Sequence, residues 1–286
     1  MKLFLRPNLT KEDSGACTRA VVEEVLRLGM TPMVENRIGE HMGLQNCVTG
    51  ELPELMEQCD ILVPIGGDGT LMRCAGDAVR ADKPILGINA GRIGFLTQLE
   101  TCEIKQLERL KAGSYRMTER MMLEGMVVDE SGAEKQRFVA LNDIVATRGG
   151  MNSVADVEVY QGERLITRQR GDGMIFATPT GSTAYSLSAG GPIVDPELEV
   201  ILLTAICPHA TFRCTMTLPG WHTYTLREAV VNRSQDLVIA ADGRRVTTIA
   251  AKECVLVRKY GKKAKLIDLG LHDFYESLND KLSWRR

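Results

Sequence analysis

Over residues 1–112, short apolar or β-branched runs alternate with stretches of helical periodicity, and no other feature restricts the fold so tightly. Lys2 to Arg6 reads as a strand, Cys17 to Leu28 as an amphipathic helix, Thr31 to Glu35 as a strand and Glu51 to Gln58 as a short helix. Ile61 to Ile65 is again strand-like, Thr70 to Arg80 helical, Pro84 to Asn89 a strand and Glu103 to Lys111 a helix. Strands separated by helices pair through crossovers, so this order predicts βαβ units and a parallel, Rossmann-like sheet. Ligands of such sheets settle beyond the carboxyl ends of the strands, where Gly66 to Thr70 and Asn89 to Gly94 fall.

From about Tyr115 the pattern changes to closely spaced strands with alternating faces. They are read at Met121 to Val128, Phe138 to Thr147, Val154 to Tyr160, Arg164 to Thr167, Met174 to Thr178, Thr223 to Leu226, Leu237 to Ala241 and Cys254 to Val257. The expected organisation is an α/β domain over 1–112 and an all-β, sandwich-like domain over 113–270. A helix within 273–286 is free to return to the first domain. A cleft site in a two-domain molecule is the expectation.

The 286 residues carry 37 acidic and 35 basic side chains, so no global basic field recruits nucleic acid or a membrane surface. The densest basic cluster, Arg258 to Lys265, reads as a hairpin turn at Tyr260-Gly261 with solvated charges. No run reaches transmembrane length, and Met1 to Leu5 leads into strand-like sequence without a signal-peptide pattern, so a cytoplasmic protein is expected. The eight cysteines show no Cys-x-x-Cys pair or zinc-ligand spacing and are expected reduced and mostly buried. No residue is assigned as a metal ligand. Cys207-Pro208-His209 is a poor candidate for a metal or nucleophile site, because one Cys and one His on a strand end make no constellation.

The segment Ile65-Gly66-Gly67-Asp68-Gly69-Thr70 stands between a strand and a helix. Glycine amides and the positive end of a helix form a cradle for phosphate oxygens, and a carboxylate there should repel them. Asp68 makes sense if it holds a cation, binds a hydroxyl, or takes that hydroxyl's proton as a phosphoryl group arrives. No Gly-Lys-Ser/Thr follows to supply the lysine and hydroxyl of a nucleoside-triphosphate P-loop, and the dinucleotide Gly-x-Gly-x-x-Gly spacing is missing. Arg73 either points a cation back toward the cradle or belongs to a solvated helix face.

Two further constellations fall in the second half. Asn142-Asp143 breaks the alternation of its strand, which requires a bulge, a core-facing polar residue or an Asx turn between two shorter strands. An amide beside a carboxylate suits a vicinal diol such as ribose. The series from Gln169-Arg170-Gly171-Asp172-Gly173 to Thr178-Pro179-Thr180-Gly181-Ser182-Thr183-Ala184-Tyr185-Ser186-Leu187-Ser188 combines small hydroxyl residues and glycines that admit a flat ligand. Ser182 or Thr183 is placed to cap a helix, and Tyr185 brings an aromatic face. Asp68, Asp143 and Asp172 thus place three acids on separate segments. Asp242-Gly243-Arg244 reads as a hairpin turn after Leu237 to Ala241.

Gly66 to Thr70, Asn89-Ala90-Gly91-Arg92-Ile93-Gly94-Phe95-Leu96, Leu141-Asn142-Asp143 and Gly171 to Pro192 together resemble the NAD kinase family over most of the chain. The last of these motifs is long and specific. The glycine-acid core alone is shared with diacylglycerol and sphingosine kinases. The resemblance implies an α/β domain joined to a β-sandwich domain and ATP-dependent phosphorylation of the adenosine-ribose 2′-hydroxyl of NAD. Mg2+ or another divalent cation would accompany ATP. It implies Asp68 as proton acceptor, with Gly66, Gly67, Gly69, Thr70 and Arg73 around the phosphates. Asn142 and Asp143 would hold the ribose or nicotinamide end, Arg170 and Asp172 would lie nearby, and Thr183, Ala184, Tyr185 and Ser188 would line the dinucleotide pocket. A homo-oligomer, dimer or tetramer, is also implied. The chain departs from the family pattern at Asp143, where glutamate is frequent, at Ala210 to Cys214, and at Arg244, where glutamine is frequent. The rival readings are a lipid kinase with the same loop and a catalytically silent dinucleotide sensor.

Overall fold

Twenty strands and seven α-helices follow one another through the described residues, 1–91, 94–150, 154–209, 214–229, 236–250 and 252–282 of the computed structural model. The chain separates into two units, Met1–Glu119 with Ala264–Arg286, and Arg120–Lys263.

The first unit opens with β1 (Lys2–Pro7), α1 (Ser14–Arg27), β2 (Thr31–Glu35), α2 (Asn36–Met42), β3 (Val48–Gly50), α3 (Leu52–Gln58), β4 (Ile61–Ile65) and α4 (Asp68–Arg80). After these come β5 (Ile88–Asn89), β6 (Leu99–Glu100), a 3₁₀ turn at Thr101–Leu107, α5 (Glu108–Ala112) and β7 (Arg116–Arg120). The main sheet is parallel, in the order β3-β2-β1-β4-β5-β6. β1 and β4 are apolar without alternation because helices cover both faces of a parallel sheet. Leu3, Leu5, Val63 and Ile65 join Val21 and Val25 of α1 in one buried cluster, while Phe4 and Leu62 are buried as well. The order reverses direction between β1 and β4. At such a switch point the connecting loops diverge and a crevice opens at the strand ends. The run expected as one strand from Pro84 to Asn89 is shorter, with Ile85 making only isolated bridges before Ile88.

The second unit holds β8 (Leu123–Val128), β9 (Glu134–Ala140), β10 (Asp143–Arg148), β11 (Ala155–Gln161), β12 (Arg164–Gly171), β13 (Gly173–Ala177) and α6 (Tyr185–Ser188). It continues with β14 (Val200–Ile206), β15 (Met216–Pro219), β16 (Tyr224–Glu228), β17 (Leu237–Ala241), β18 (Arg244–Ile249) and β19 (Cys254–Lys259). Two six-stranded antiparallel sheets result, β15-β14-β13-β10-β17-β18 and β12-β11-β16-β19-β8-β9. Ile144, Phe176, Leu203 and Ile239 of the one share a buried cluster with Leu123, Val157, Leu226 and Val255 of the other, which is the core of a sandwich.

Two expectations are corrected. Phe138 to Thr147 is two strands, because the chain leaves one sheet at Ala140 and enters the other at Asp143. Tyr260-Gly261 is no hairpin turn either: β19 pairs with β16 and β8, whereas β20 (Ala264–Asp268) pairs with β7 in the first unit. The chain closes with α7 (Phe274–Leu282), whose first turn Asp273 caps by accepting the Glu276 N–H at 2.7 Å.

Candidate active site

In the first unit the glycine loop follows the buried end of β4. Gly66 and Gly67 have φ of +154° and +146°, which L-residues rarely adopt, and a Cβ on Gly66 would lie 2.5 Å from Thr70 Oγ1. The Gly66 N–H donates to Ile88 O at 2.9 Å, and the N–H groups of Thr70 and Leu71 return to Gly67 O at 2.9 and 3.1 Å. This closes the first turn of α4 and leaves its leading amides directed out of the helix end. Thr70 is buried, so its hydroxyl supports Gly66 from beneath the loop. Arg73 is exposed and reaches Thr70 Oγ1 at 3.4 Å, the long limit of a hydrogen bond.

Asp68 opens α4, and the segment that resembled the same family through Asn89 to Leu96 receives it. Its two carboxylate oxygens accept the Phe95 N–H at 2.7 Å and the Leu96 N–H at 3.1 Å. A Cβ on Gly94 would overlap that carboxylate, so glycine is required there by contact. Gly94 itself donates to Thr97 Oγ1 at 3.1 Å. Two motifs joined by bonds that span 27 and 28 residues therefore form one device that fixes the acid at the mouth of the glycine loop. Arg92 and Ile93 of that motif lie outside the described residues.

In the second unit the motif residues gather at the crossover between the sheets. Asp242, at the β17–β18 turn with φ of +48°, accepts the N–H groups of Leu141, Asn142 and Asp143 at 2.9, 2.7 and 3.3 Å. Asp242-Gly243 is the expected hairpin turn and also the clamp on the Asn142-Asp143 pair. Thr178 pins the other side: its hydroxyl donates to Leu141 O at 2.6 Å and its N–H to Asn142 O at 2.8 Å. Gly181 lies so close to the Asn142 backbone that a Cβ would collide with it.

Electrostatics follow from this packing. Burial, then the charge of Asp242, pushes the Asp143 carboxyl up to about 7. Burial also raises Asp242 against the lowering effect of its three backbone donors and of Arg244. The Tyr185 phenol is raised by burial and by the charges of Cys207, Asp172 and Asp143, and its side chain remains 42% exposed.

Other predicted residues are distributed more loosely. Asp172 is ion-paired with Arg148 at 2.9 Å. The Arg170 side chain is exposed and its carbonyl accepts the His209 N–H at 2.8 Å. Thr183 donates to Thr180 O at 3.3 Å, Ala184 is half-buried and Ser188 is exposed. Neither Ser182 nor Thr183 caps a helix as expected. α6 is only four residues long, and Ser182 Oγ accepts the Val194 N–H at 3.0 Å instead. All eight cysteines are free, but only Cys17, Cys59 and Cys74 are buried, against the expectation of mostly buried thiols. Of the departing segment 210–214, residues 210–213 lie outside the described residues. The clamp by Asp242 was missed in the sequence because an Asp-Gly turn gives no sign of which amides its carboxylate will meet.

A parallel sheet whose acid-bearing glycine loop opens at the strand ends, in a chain that also folds an antiparallel sandwich, is the architecture of a small-molecule phosphotransferase. Residues 7–115 match the ATP-NAD kinase N-terminal domain and residues 141–269 the ATP-NAD kinase C-terminal domain. The chain is 36% identical over 286 residues to the NAD kinase of Caldanaerobacter subterraneus, covering 99% of each. It is 40% identical over 237 residues to that of Heliobacterium modesticaldum, covering 82% of this chain and 83% of the other. The chain belongs to the ATP-NAD kinase family. The fold is shared with yeast NADH kinase complexed with NADH, at a TM-score of 0.89 and 23% identity over 100% of this chain and 89% of that one. It is shared as well with an NAD kinase from Archaeoglobus fulgidus in complex with ATP, at 0.74 and 23%, covering 98% and 97%.

Proposed function

We propose that the chain transfers the γ-phosphoryl group of ATP to the adenosine-ribose 2′-hydroxyl of NAD, giving NADP and ADP. The observation that carries this reading is Asp68, held at the glycine loop by two backbone amides with its carboxylate oriented before any substrate arrives. Asp68 takes the 2′-hydroxyl proton as the ribose oxygen forms its bond to the γ-phosphorus. The bond from that phosphorus to the β–γ bridging oxygen breaks, and ADP leaves with the electron pair. The amides of Gly67 and Gly69 and the N-terminus of α4 offset charge on the transferring group, while the Gly66 N–H, expected in the same role, is already given to Ile88 O.

No group of three or more His, Cys, Asp or Glu side chains among the described residues could cage a metal ion. Mg2+ enters as MgATP, held chiefly by the triphosphate, as is usual for nucleotide-bound magnesium. Asn142 and Asp143 bind the ribose or nicotinamide end of NAD, Arg170 and Asp172 lie beside it, and Thr183, Ala184, Tyr185 and Ser188 line the dinucleotide pocket. Arg73 completes the phosphate surroundings. The protein acts in the cytoplasm as a homo-oligomer, dimer or tetramer, which light scattering on the purified protein tests. No helix among the described residues is long and apolar enough to cross a membrane.

The relatives give no support to a lipid kinase or a silent sensor. A coupled assay for NADP, run with MgATP and NAD and with a diacylglycerol or sphingoid acceptor in parallel, tests the reading. NADP formation is expected and lipid phosphorylation is not. Binding of NAD without NADP formation would overturn it.

A further inference from the structure

The lysine that a P-loop carries at the start of its own helix is missing here, but another segment brings one to the same place. Lys11 lies in the loop leaving β1, and Asn8 builds that loop. The Asn8 N–H donates to Ile65 O at 2.9 Å, its carbonyl accepts the Lys11 N–H at 3.1 Å, and its side-chain oxygen accepts the N–H and hydroxyl of Thr10 at 3.3 and 2.8 Å. This Asx turn folds Lys11 back over the end of β4. There its ammonium donates to Gly66 O at 2.6 Å.

The same ammonium lies against Gly67, where a Cβ would come within 2.9 Å of Nζ. No carboxylate among the described residues is ion-paired with Lys11, although Glu12 and Asp13 follow it in the chain. An ammonium has three N–H donors, and one of them goes to Gly66. β1 and β4 are the strands between which the sheet order reverses, so Lys11 and the glycine loop flank the switch-point crevice. A surface lysine held for stability alone would more commonly find a carboxylate; this one is held by the loop's own backbone, beside the helix end that attracts anions.

We propose that Lys11 is a donor-binding residue, its ammonium contacting the phosphate oxygens of ATP at the glycine loop. This rests on the reading of that loop as the phosphoryl-donor cradle. Lys11 supplies the positive charge that the glycine loop lacks in its own sequence, and it does so from a position 55 residues earlier in the chain than Gly66.

The test compares Lys11→Met, which keeps the apolar stem, with Lys11→Arg, which keeps the charge. Lys11→Met is expected to raise KM for MgATP about tenfold or more while KM for NAD changes less than about twofold, and Lys11→Arg to recover part of the loss. A purely structural lysine would move both KM values or the melting temperature instead. In the wild-type protein, acetylation of Lys11 followed by mass spectrometry is expected to slow several-fold with MgATP and not with NAD. An unchanged KM for MgATP in Lys11→Met, or, should that variant not fold, acetylation indifferent to MgATP, would overturn the assignment. Absence of NADP formation by the wild-type protein would instead overturn the function itself.

Discussion

The two units use the same device for different ends. In the parallel unit the Asp68 carboxylate accepts two backbone N–H groups from residues 95 and 96, and in the antiparallel unit the Asp242 carboxylate accepts three from residues 141–143. A parallel sheet sends all its strand ends to one edge, so a loop after β4 meets a loop after β5, and in the proposed mechanism the acid so aimed is itself the reacting group. Antiparallel strand ends alternate, and the second unit gathers its residues where the chain crosses between sheets. There the clamping acid holds backbone, and in the proposed function its neighbour Asp143 is the one that meets the ligand. On the proposed mechanism, a carboxylate tied to foreign amides is thus an aimed reactant in one unit and a bracket in the other.

Gly94→Ala strikes hardest at the first half of this contrast. Its methyl group would overlap the Asp68 carboxylate, and the acid must turn away. Turnover is expected to fall by about 10² or more, with the general-base contribution of about 10²–10⁴ as the ceiling. The Michaelis constant for NAD should stay within a few-fold, and steady-state kinetics on the folded variant check both.

Asp242→Ala addresses the bracket. Three N–H groups lose a charged acceptor, each such bond contributing about 1.5–3 kcal/mol without full additivity. A loss of about 3 kcal/mol in denaturant unfolding and a KM for NAD raised at least tenfold are expected from that range. Asp242→Asn, which retains one acceptor oxygen, should lose less of each. If turnover fell while KM for NAD held, Asp242 would resemble Asp68 rather than differ from it.

A smaller effect concerns pH. Burial and Asp242 raise Asp143 to about 7, so between the ordinary carboxylate range and about 7 the folded chain holds a proton that the unfolded chain has released. This group's contribution to stability is greatest at low pH and declines as pH rises from about 4 to about 7, then levels off. Binding runs the other way in the proposed function, since the ionised carboxylate is the stronger acceptor for a ribose hydroxyl. KM for NAD should therefore rise as pH falls below about 7, by less than tenfold per pH unit, and Asp143→Asn should flatten the profile. Burial raises the neighbouring Asp242 in the same direction, so comparing the profiles of Asp143→Asn and Asp242→Asn assigns the limb to one carboxyl or the other.

The sequence displayed the two sheet types and the residues of each motif, because period and glycine placement are local properties. What it concealed was set by partners far along the chain. β14 went unread since Ile201 and Leu203 face one buried cluster and Leu202 and Ile206 another, which erases alternation. The break at Asn142 was visible as two polar residues in a strand, but not that it marks a change of sheet. Gly94 was part of a recognised motif, yet its purpose needs the position of Asp68, and Lys11 needs the adjacency of β1 and β4.

The central claim is that Asp68 is held as a base rather than as a structural acid, and Asp68→Asn tests it most directly. The amide keeps one oxygen for the backbone donors and cannot take a hydroxyl proton. Turnover with saturating MgATP and NAD should fall by about 10²–10⁴, while NAD affinity stays within about tenfold, or about 1.4 kcal/mol. Wild-type turnover in that variant would contradict the account.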